Sequence, residues 1–257
     1  MLFRNLALSL FLSCLIIQEA NAASEHQDLV VAVIFAEGLP FYGFDEKTQQ
    51  TSGLFNDILL KLAQSLQMDL QFAPTARNKI EQDIISAKAD VGFLAPKWLN
   101  APESMVFSDP VLTYQHAFYG LVAPQKNVSL GSQVKGKTVC LRENYSYPEL
   151  EDWLEKGELT PVRVSRETRL FDMLQLSRCD LVYTNTLRAQ WTISSHDFDK
   201  AVYQLGTLDA IDKIPLAFSQ SWLSRMPDIN AAIADMHRSG ELKQIIDKNM
   251  ALKYVRR

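Results

Sequence analysis

Cysteine and histidine are scarce in this chain, and with them the usual ligands of metal centres. The 257 residues include 3 cysteines and 4 histidines. The histidines are scattered and no Cys-x-x-Cys spacing occurs, so the sequence predicts no metal site. We also expect no phosphate-binding loop, no dinucleotide fingerprint and no nucleophile elbow, and hence no cofactor and no familiar catalytic motif.

An excess of positive charge is missing too. The formal net charge is −4, which provides no basic field for nucleic acid or an anionic membrane. Internal repeats and low-complexity tracts are absent. With 47% hydrophobic residues, the chain can bury ordinary cores, and its length suits one large domain or two small ones.

The chain has a single long apolar run, at residues 6–17, and this run is too short for a membrane span of ~20 residues. It follows Arg4 and precedes an Ala-Asn-Ala site that ends at Ala22. This arrangement is typical of a cleaved secretory signal, so we expect residues 1–22 to be removed and the mature protein to be periplasmic. A lipoprotein anchor at Cys14 is the alternative, although the residues before it make a poor lipobox.

The rest of the chain is organised around residues 53–110, which read as helix, strand, helix and strand. The first helix carries one apolar stripe, formed by Leu54, Ile58, Leu62, Ala63 and Leu66. Strands with short helical connections predict an α/β fold with a parallel sheet and right-handed crossovers. Ligands sit at the carboxyl ends of such strands, which here are residues 37–42, 74–77 and 94–98.

The second half repeats this alternation and predicts a second lobe. We interpret residues 113–122 as a strand that crosses into it, 202–205 as one of its strands, and 213–219 as the strand that crosses back. Lobe 1 would then contain residues 23–122 plus 215–257, and lobe 2 residues 123–214. Two lobes joined by two crossings form a hinge with a ligand cleft between them.

An ordered set of short motifs resembles the amino-acid-type extracellular solute-binding proteins, family 3. The set covers nearly the whole mature chain and comprises Gly53-Leu54, Phe107-Ser108-Asp109-Pro110, Gly136-Lys137-Thr138-Val139, Asn144-Tyr145-Ser146-Tyr147-Pro148, Leu216-Ala217-Phe218-Ser219 and Ser239-Gly240-Glu241-Leu242. The resemblance implies a type II periplasmic-binding-protein fold with two Rossmann-like lobes. It also implies a monomer that closes on a small polar solute and serves an ABC transporter permease or a sensor.

Both charged anchors of an amino-acid ligand differ from the family pattern. The family usually holds the α-carboxylate with an Arg shortly before Phe-Ser-Asp-Pro, but residues 100–105 contain none. It usually holds the ammonium with an Asp at the position of Asn185. The resemblance therefore supports the fold more than an ordinary amino-acid ligand.

Candidate ligand-binding residues lie at the strand ends of both lobes. Arg77, in Pro-x-x-Arg, resembles a subgroup of the family, and its alternative is a solvated arginine at a helix start. Phe41 and Tyr42 would form an aromatic wall or cap the core, and a helix start near Ser146 would receive an anion or simply be capped. The full set is Glu37, Phe41, Tyr42, Arg77, Leu94, Lys97, Asn144, Tyr145, Ser146 and Asn185.

Two features leave alternatives open. Cys140 and Cys179 belong to strands that are neighbours in the inferred fold, so they could form a disulfide or remain two small buried apolar residues. A dehydratase-like enzyme on the same scaffold would need a carboxyl acid or base in the cleft, for which Glu37 and Glu143 are the candidates. A periplasmic accessory protein that acts through a protein partner is the third possibility.

Overall fold

A computed structural model describes residues 27–34, 38–45, 48 and 50–251. The predicted signal at residues 1–22 and the candidate Glu37 lie outside them. The first sheet has the order β4-β1-β5-β12-β6. Its strands are β1 (Gln27–Val33), β4 (Met68–Pro74), β5 (Val91–Phe93), β6 (Met105–Phe107) and β12 (Leu216–Ser219), and a hairpin of β2 (Gly43–Asp45) and β3 (Gln50–Ser52) lies beside it.

The helices of the first half cover this sheet. They are α1 (Leu54–Leu66) and α2 (Ile80–Ile85), joined late in the chain by α7 (Met226–Arg238) and α8 (Glu241–Met250). Helix α1 buries its apolar stripe against β4, α7 and α8. Gly53 starts the helix at φ 106°, and a Cβ there would lie 2.6 Å from the Phe41 carbonyl oxygen. Only glycine fits this close approach, which fixes the loop that leads from β1 toward the cleft.

The second sheet has the order β11-β7-β10-β8-β9. Its strands are β7 (Leu112–Gly120), β8 (Lys137–Arg142), β9 (Leu159–Val164), β10 (Leu181–Asn185) and β11 (Tyr203–Ile214), and its helices are α3 (Leu130–Val134), α4 (Glu151–Glu155), α5 (Arg169–Gln175) and α6 (Thr186–Ser195). Strands β8, β9 and β10 pair in parallel, whereas β7 pairs antiparallel with both β10 and β11. No helix in the described part of the chain is long and apolar enough to cross a membrane.

Two adjacent connections join the sheets. One runs from β6 to β7 through residues 108–111, and the other is Pro215 between β11 and β12. The Ser108 amide donates to the Leu216 carbonyl at 3.0 Å, and the Ser108 hydroxyl accepts from the Leu216 amide at 2.9 Å. The connections are therefore hydrogen-bonded to each other, in the manner of a two-stranded hinge.

The structure differs from the expected strands in two places. Strand β7, which we expected in lobe 1, pairs with β10 and β11 of the second sheet. The separate strands expected at 202–205 and 213–219 are instead one long strand, β11, followed by β12. The break falls at Pro215, which has no N–H for the ladder. Residues 131–138 do match the Gly-x-x-x-x-Gly-Lys-Thr spacing, but helix α3 precedes strand β8 there, the reverse of a phosphate-binding loop.

Cys140 and Cys179 lie in the same hydrophobic cluster beside the second sheet. Cys140 is on β8, and Cys179 comes directly before β10. Their sulfur atoms are 2.07 Å apart in the structure, and their Cα atoms 5.8 Å. The Cα separation is within the range that a disulfide requires, and formation of the bond stays a prediction.

Candidate functional site

A cleft between the two sheets collects charged and aromatic side chains from both of them. The elements built around the first sheet are called the first half below, and those built around the second sheet the second half. It encloses a cavity of about 60 Å³. The first half contributes Ile34, Phe55, Arg77, Phe93, Leu94 and Trp98, and the second half contributes Tyr114, His116, Arg142, Tyr145, Ser146, Tyr147, Glu167, Thr184, Asn185, Arg188 and Ile214. Most of these residues lie at or just beyond the carboxyl ends of strands, as expected for an α/β fold.

A buried ionic triad forms the floor of the cleft. The two oxygens of Glu167 lie 3.0 Å from Nε of Arg142 and 3.5 Å from Nε of Arg188. Glu167 also accepts a hydrogen bond from the Thr184 hydroxyl at 3.1 Å. The three charged side chains are 10% exposed or less, so each charge depends on its partners rather than on water.

Each arginine of the triad is held by backbone carbonyls as well. Arg142 donates to the Val164 carbonyl at 3.0 Å. Arg188 donates to the carbonyls of Gly38 and Leu39 at 3.2 and 2.8 Å, and its guanidinium lies 4.6 Å from the centre of the Phe41 ring. Arg188 therefore ties helix α6 of the second half to the loop after β1 of the first half.

Arg77 and Tyr145 meet across the cleft from opposite sheets. The Arg77 guanidinium lies 5.2 Å from the centre of the Tyr145 ring, and the Arg142 guanidinium lies 5.3 Å from the same ring. No described carboxylate comes within ion-pair distance of Arg77. A positive charge from each half thus converges on one aromatic ring, where an anionic group would be favourable.

A second charged network lies behind His116. Nδ1 of His116 is 2.8 Å from the carboxylate of Asp212, which also pairs with Lys97 of the first half. Glu149, at 3.9 Å from the His116 ring nitrogen, accepts a hydrogen bond from the Tyr183 hydroxyl. Burial, together with the neighbouring Glu149 charge, raises the pKa of Tyr183 far above its usual range, so this hydroxyl remains a donor.

Asp212 leads to a prediction about acid stability. Burial alone would raise its pKa, but hydrogen bonds from His116 and Lys97 outweigh burial and lower the pKa. Stability from a lowered pKa is complete above the unfolded-state pKa of about 3.9 and is lost as pH falls through the folded-state value. We expect Asp212→Asn to destabilise the protein at neutral pH and to flatten the acid limb of the pH–stability curve, measured by urea unfolding. An acid limb parallel to that of the wild type would contradict this assignment.

Comparison with known proteins places the cleft in a family context. A family model for bacterial extracellular solute-binding proteins, family 3, matches residues 31–251. The chain belongs to that family. The resemblance and the α/β fold class predicted from the sequence are thereby confirmed. A search of curated proteins found no sequence that matches this chain.

Solved structures similar to this family 3 protein support the same fold. An ancestral arginine-binding protein bound to arginine matches with a TM-score of 0.72 and 20% identity over 87% of this chain and 98% of that one. An amino-acid ABC transporter substrate-binding protein from Streptococcus pneumoniae, bound to L-arginine, matches with a TM-score of 0.69 and 17% identity over 87% of this chain and 94% of that one. A histidine kinase sensor domain with similarity to periplasmic binding proteins matches with a TM-score of 0.68 and 16% identity over 90% of this chain and 99% of that one. At these identities the likeness shows the fold alone.

The structure brings together five of the residues that the sequence singled out in this family 3 protein. Arg77, Leu94, Tyr145, Ser146 and Asn185 line the cleft, and their contact with a ligand stays a prediction. The Asn185 side chain accepts a hydrogen bond from the Arg188 amide and so caps helix α6.

The other described candidates lie outside the lining. Phe41 and Tyr42 are packed in the core, where Phe41 contacts Phe55 at 4.9 Å between ring centres. Lys97 is engaged by Asp212, and Asn144 is an exposed turn residue with φ 60°. Neither Asn144 nor Ser146 caps a helix, because Tyr147 and Pro148 lead first into a 3₁₀ turn and only then into α4.

Four cleft residues with charged or imidazole side chains were not identified from the sequence. Arg142 ends β8 and so carried the same positional signal as Arg77. Glu167 follows β9 within a few residues and carried a weaker version of that signal. Arg188, inside a helix, and His116, within β7, had no local signal, because their partners are distant in sequence.

Proposed function

We propose that this protein is a periplasmic solute-binding protein, exported by a signal at residues 1–22, that captures a small polar, amino-acid-like or related solute for a membrane transporter. Its lobes would be residues 27–107 with 216–251, and residues 112–214, because the strands of each set share one sheet. The solute would occupy the cleft, and closure about the two hydrogen-bonded connections would enclose it. The observation that carries this proposal is the Arg77–Tyr145 contact across the cleft.

Contacts between the lobes support a closing mechanism. Arg77 reaches Tyr145, Lys97 reaches Asp212, and Arg188 reaches the loop after β1. The cavity of about 60 Å³ is far smaller than the roughly 300–1,000 Å³ of ordinary ligand pockets. A solute would therefore enter only after these contacts open, and binding would be coupled to a change of lobe angle.

Binding without chemistry fits the carboxylates of the cleft better than catalysis does. Both oxygens of Glu167 contact arginine side chains, so neither oxygen faces the cleft free of a protein partner. Glu143 is exposed and does not line the cleft. The dehydratase-like alternative therefore has no described carboxyl group in position.

Arg77 is the substitution that tests the site. A thermal-shift screen of the mature protein should cover amino acids, organic acids, polyamines and nucleosides. A solute at a hundred times its dissociation constant adds ~2.7 kcal/mol of stability. We expect Arg77→Ala to weaken the best hit by about 10- to 100-fold, because a charge-assisted hydrogen bond contributes ~1.5–3 kcal/mol.

Arg225→Ala is the matched control, since Arg225 belongs to the same proposed lobe but pairs with Asp228 at the surface. It should leave the affinity unchanged. Equal affinity of Arg77→Ala and the wild type would remove the solute from this cleft. A well-folded protein that responds to no compound would contradict the solute-binding function and favour a role through a protein partner.

A further inference from the structure

We infer that the solute is an organic acid with an apolar body and no ammonium group. The inference rests on the proposed function, since it assumes that the solute occupies the cleft. It follows from the balance of charge in the lining. Among the lining residues that the structure describes, three guanidinium groups face one carboxylate, so the cleft selects for negative charge.

The anionic end of the solute has a defined place. Arg77 and Arg142 converge on the Tyr145 ring, and no described carboxylate neutralises Arg77. Nε of the buried Arg142 faces Glu167 at 3.0 Å but lacks hydrogen-bond alignment with any described acceptor. A carboxylate beside the Tyr145 ring that reached both guanidinium groups would receive charge-assisted hydrogen bonds from both lobes.

An ammonium group would find no such place. Glu167, the one described carboxylate of the lining, is already shared by Arg142, Arg188 and the Thr184 hydroxyl. The Asn185 side-chain oxygen accepts from a backbone amide at the start of helix α6. Burying an ammonium without a free carboxylate is costly, so an amino acid would bind more weakly than the acid of the same carbon skeleton.

Two further carboxylates near the cleft do not change this balance. Asp212 pairs with Lys97 and His116, and Glu149 accepts from the Tyr183 hydroxyl. Both lie behind His116 and outside the lining.

The carbon skeleton of the solute would face an apolar wall. Phe55 and Phe93 stack with ring centres 3.8 Å apart, and both line the cleft. Ile34, Leu94 and Ile214 extend this surface. A flat or branched apolar group would pack here, whereas a second polar end would lose its hydration without gaining partners.

Matched probes test the inference by titration calorimetry. Phenylpropanoate, phenyllactate and phenylalanine share one skeleton and differ at the α-carbon, while glutarate and glutamate form a pair with a second polar end. We expect phenylpropanoate and phenyllactate to bind the wild-type protein at least ~10-fold tighter than phenylalanine, and glutarate to bind more weakly than phenylpropanoate.

Asn185→Asp adds a carboxylate of nearly the same size to the lining, and we expect it to shift the preference toward phenylalanine. Asn144→Asp makes the same charge change at an exposed turn outside the lining and should leave the preference unaltered.

The outcomes separate the inference from the proposed function. Tightest binding by an amino acid, a polyamine or a nucleoside would overturn the inference and leave the function intact. If the tightest ligand were an amino acid or a polyamine, the result would also imply an ammonium acceptor such as Glu37, which lies outside the described residues. Silence of the folded protein toward every probe, including the wider screen, would contradict the function and with it the inference.

Discussion

Replacing Glu167 with alanine is expected to lower the free energy of unfolding by about 3–5 kcal/mol, as the loss of one partner from a buried ion pair does. The substitution leaves the guanidinium groups of Arg142 and Arg188 buried without their shared carboxylate. The Thr184 hydroxyl also loses its acceptor. Two like charges in a medium of low dielectric then repel each other with little screening by water or salt.

Urea unfolding of the ligand-free protein measures this effect. Asp152→Ala is the matched control, because Asp152 forms an exposed pair with Lys156 one helical turn away. Exposed pairs contribute between about 0 and 1 kcal/mol, so the control should unfold almost as the wild type does. Glu167→Gln should fall between the two, since an amide keeps an acceptor for Thr184 but not the charge. A loss below ~1 kcal/mol for Glu167→Ala would show that water reaches the triad and that its charges are solvated rather than buried.

The fold was predictable where one local pattern dominates. Helix α1 shows its apolar stripe in sequence, and the structure places the helix at Leu54–Leu66. Strand β11 was not predictable as one element, because register shifts between Gln204 and Gly206 and between Thr207 and Ile211 break the alternation of its side chains. Strand β6 has only three residues, too few for any periodicity.

The cleft was predictable only in part, and the physical reason is distance along the chain. Position at the carboxyl end of a strand identified Arg77 and Leu94, because that rule depends on local topology. The buried pair of Arg188 and Glu167 joins residues of different elements, and a charged residue in a helix is usually solvated. Helix α6 packs against β7 and β10, and Arg188 reaches the loop after β1, so its burial depends on contacts that are distant in sequence.

Removing the bond between Cys140 and Cys179, by the double substitution to alanine, is expected to cost about 4 kcal/mol of stability. The two cysteines are 39 residues apart in sequence, and closing a loop of that size restricts the unfolded chain by about this amount in the chain-entropy description. Both side chains are buried, so part of the loss would also come from packing. Urea unfolding in the absence of reductant measures the difference.

Reductant provides the internal control for this prediction. Reductant should lower the stability of the wild type to that of the double variant and leave the double variant unchanged, because the mature chain that we expect after signal removal has no other cysteine.

Thiol titration of the unfolded, unreduced protein gives an independent result. Two reactive thiols would mean that the bond does not form, and Cys140 and Cys179 would then be small apolar residues of the second core. Absence of reactive thiols together with reductant-sensitive stability would instead show that the second sheet carries a covalent link behind the cleft, which stiffens β8 and the start of β10 while the lobes move. Because β8 ends at Arg142 and β10 at Asn185, this link would hold two cleft residues in fixed register as the solute enters and leaves.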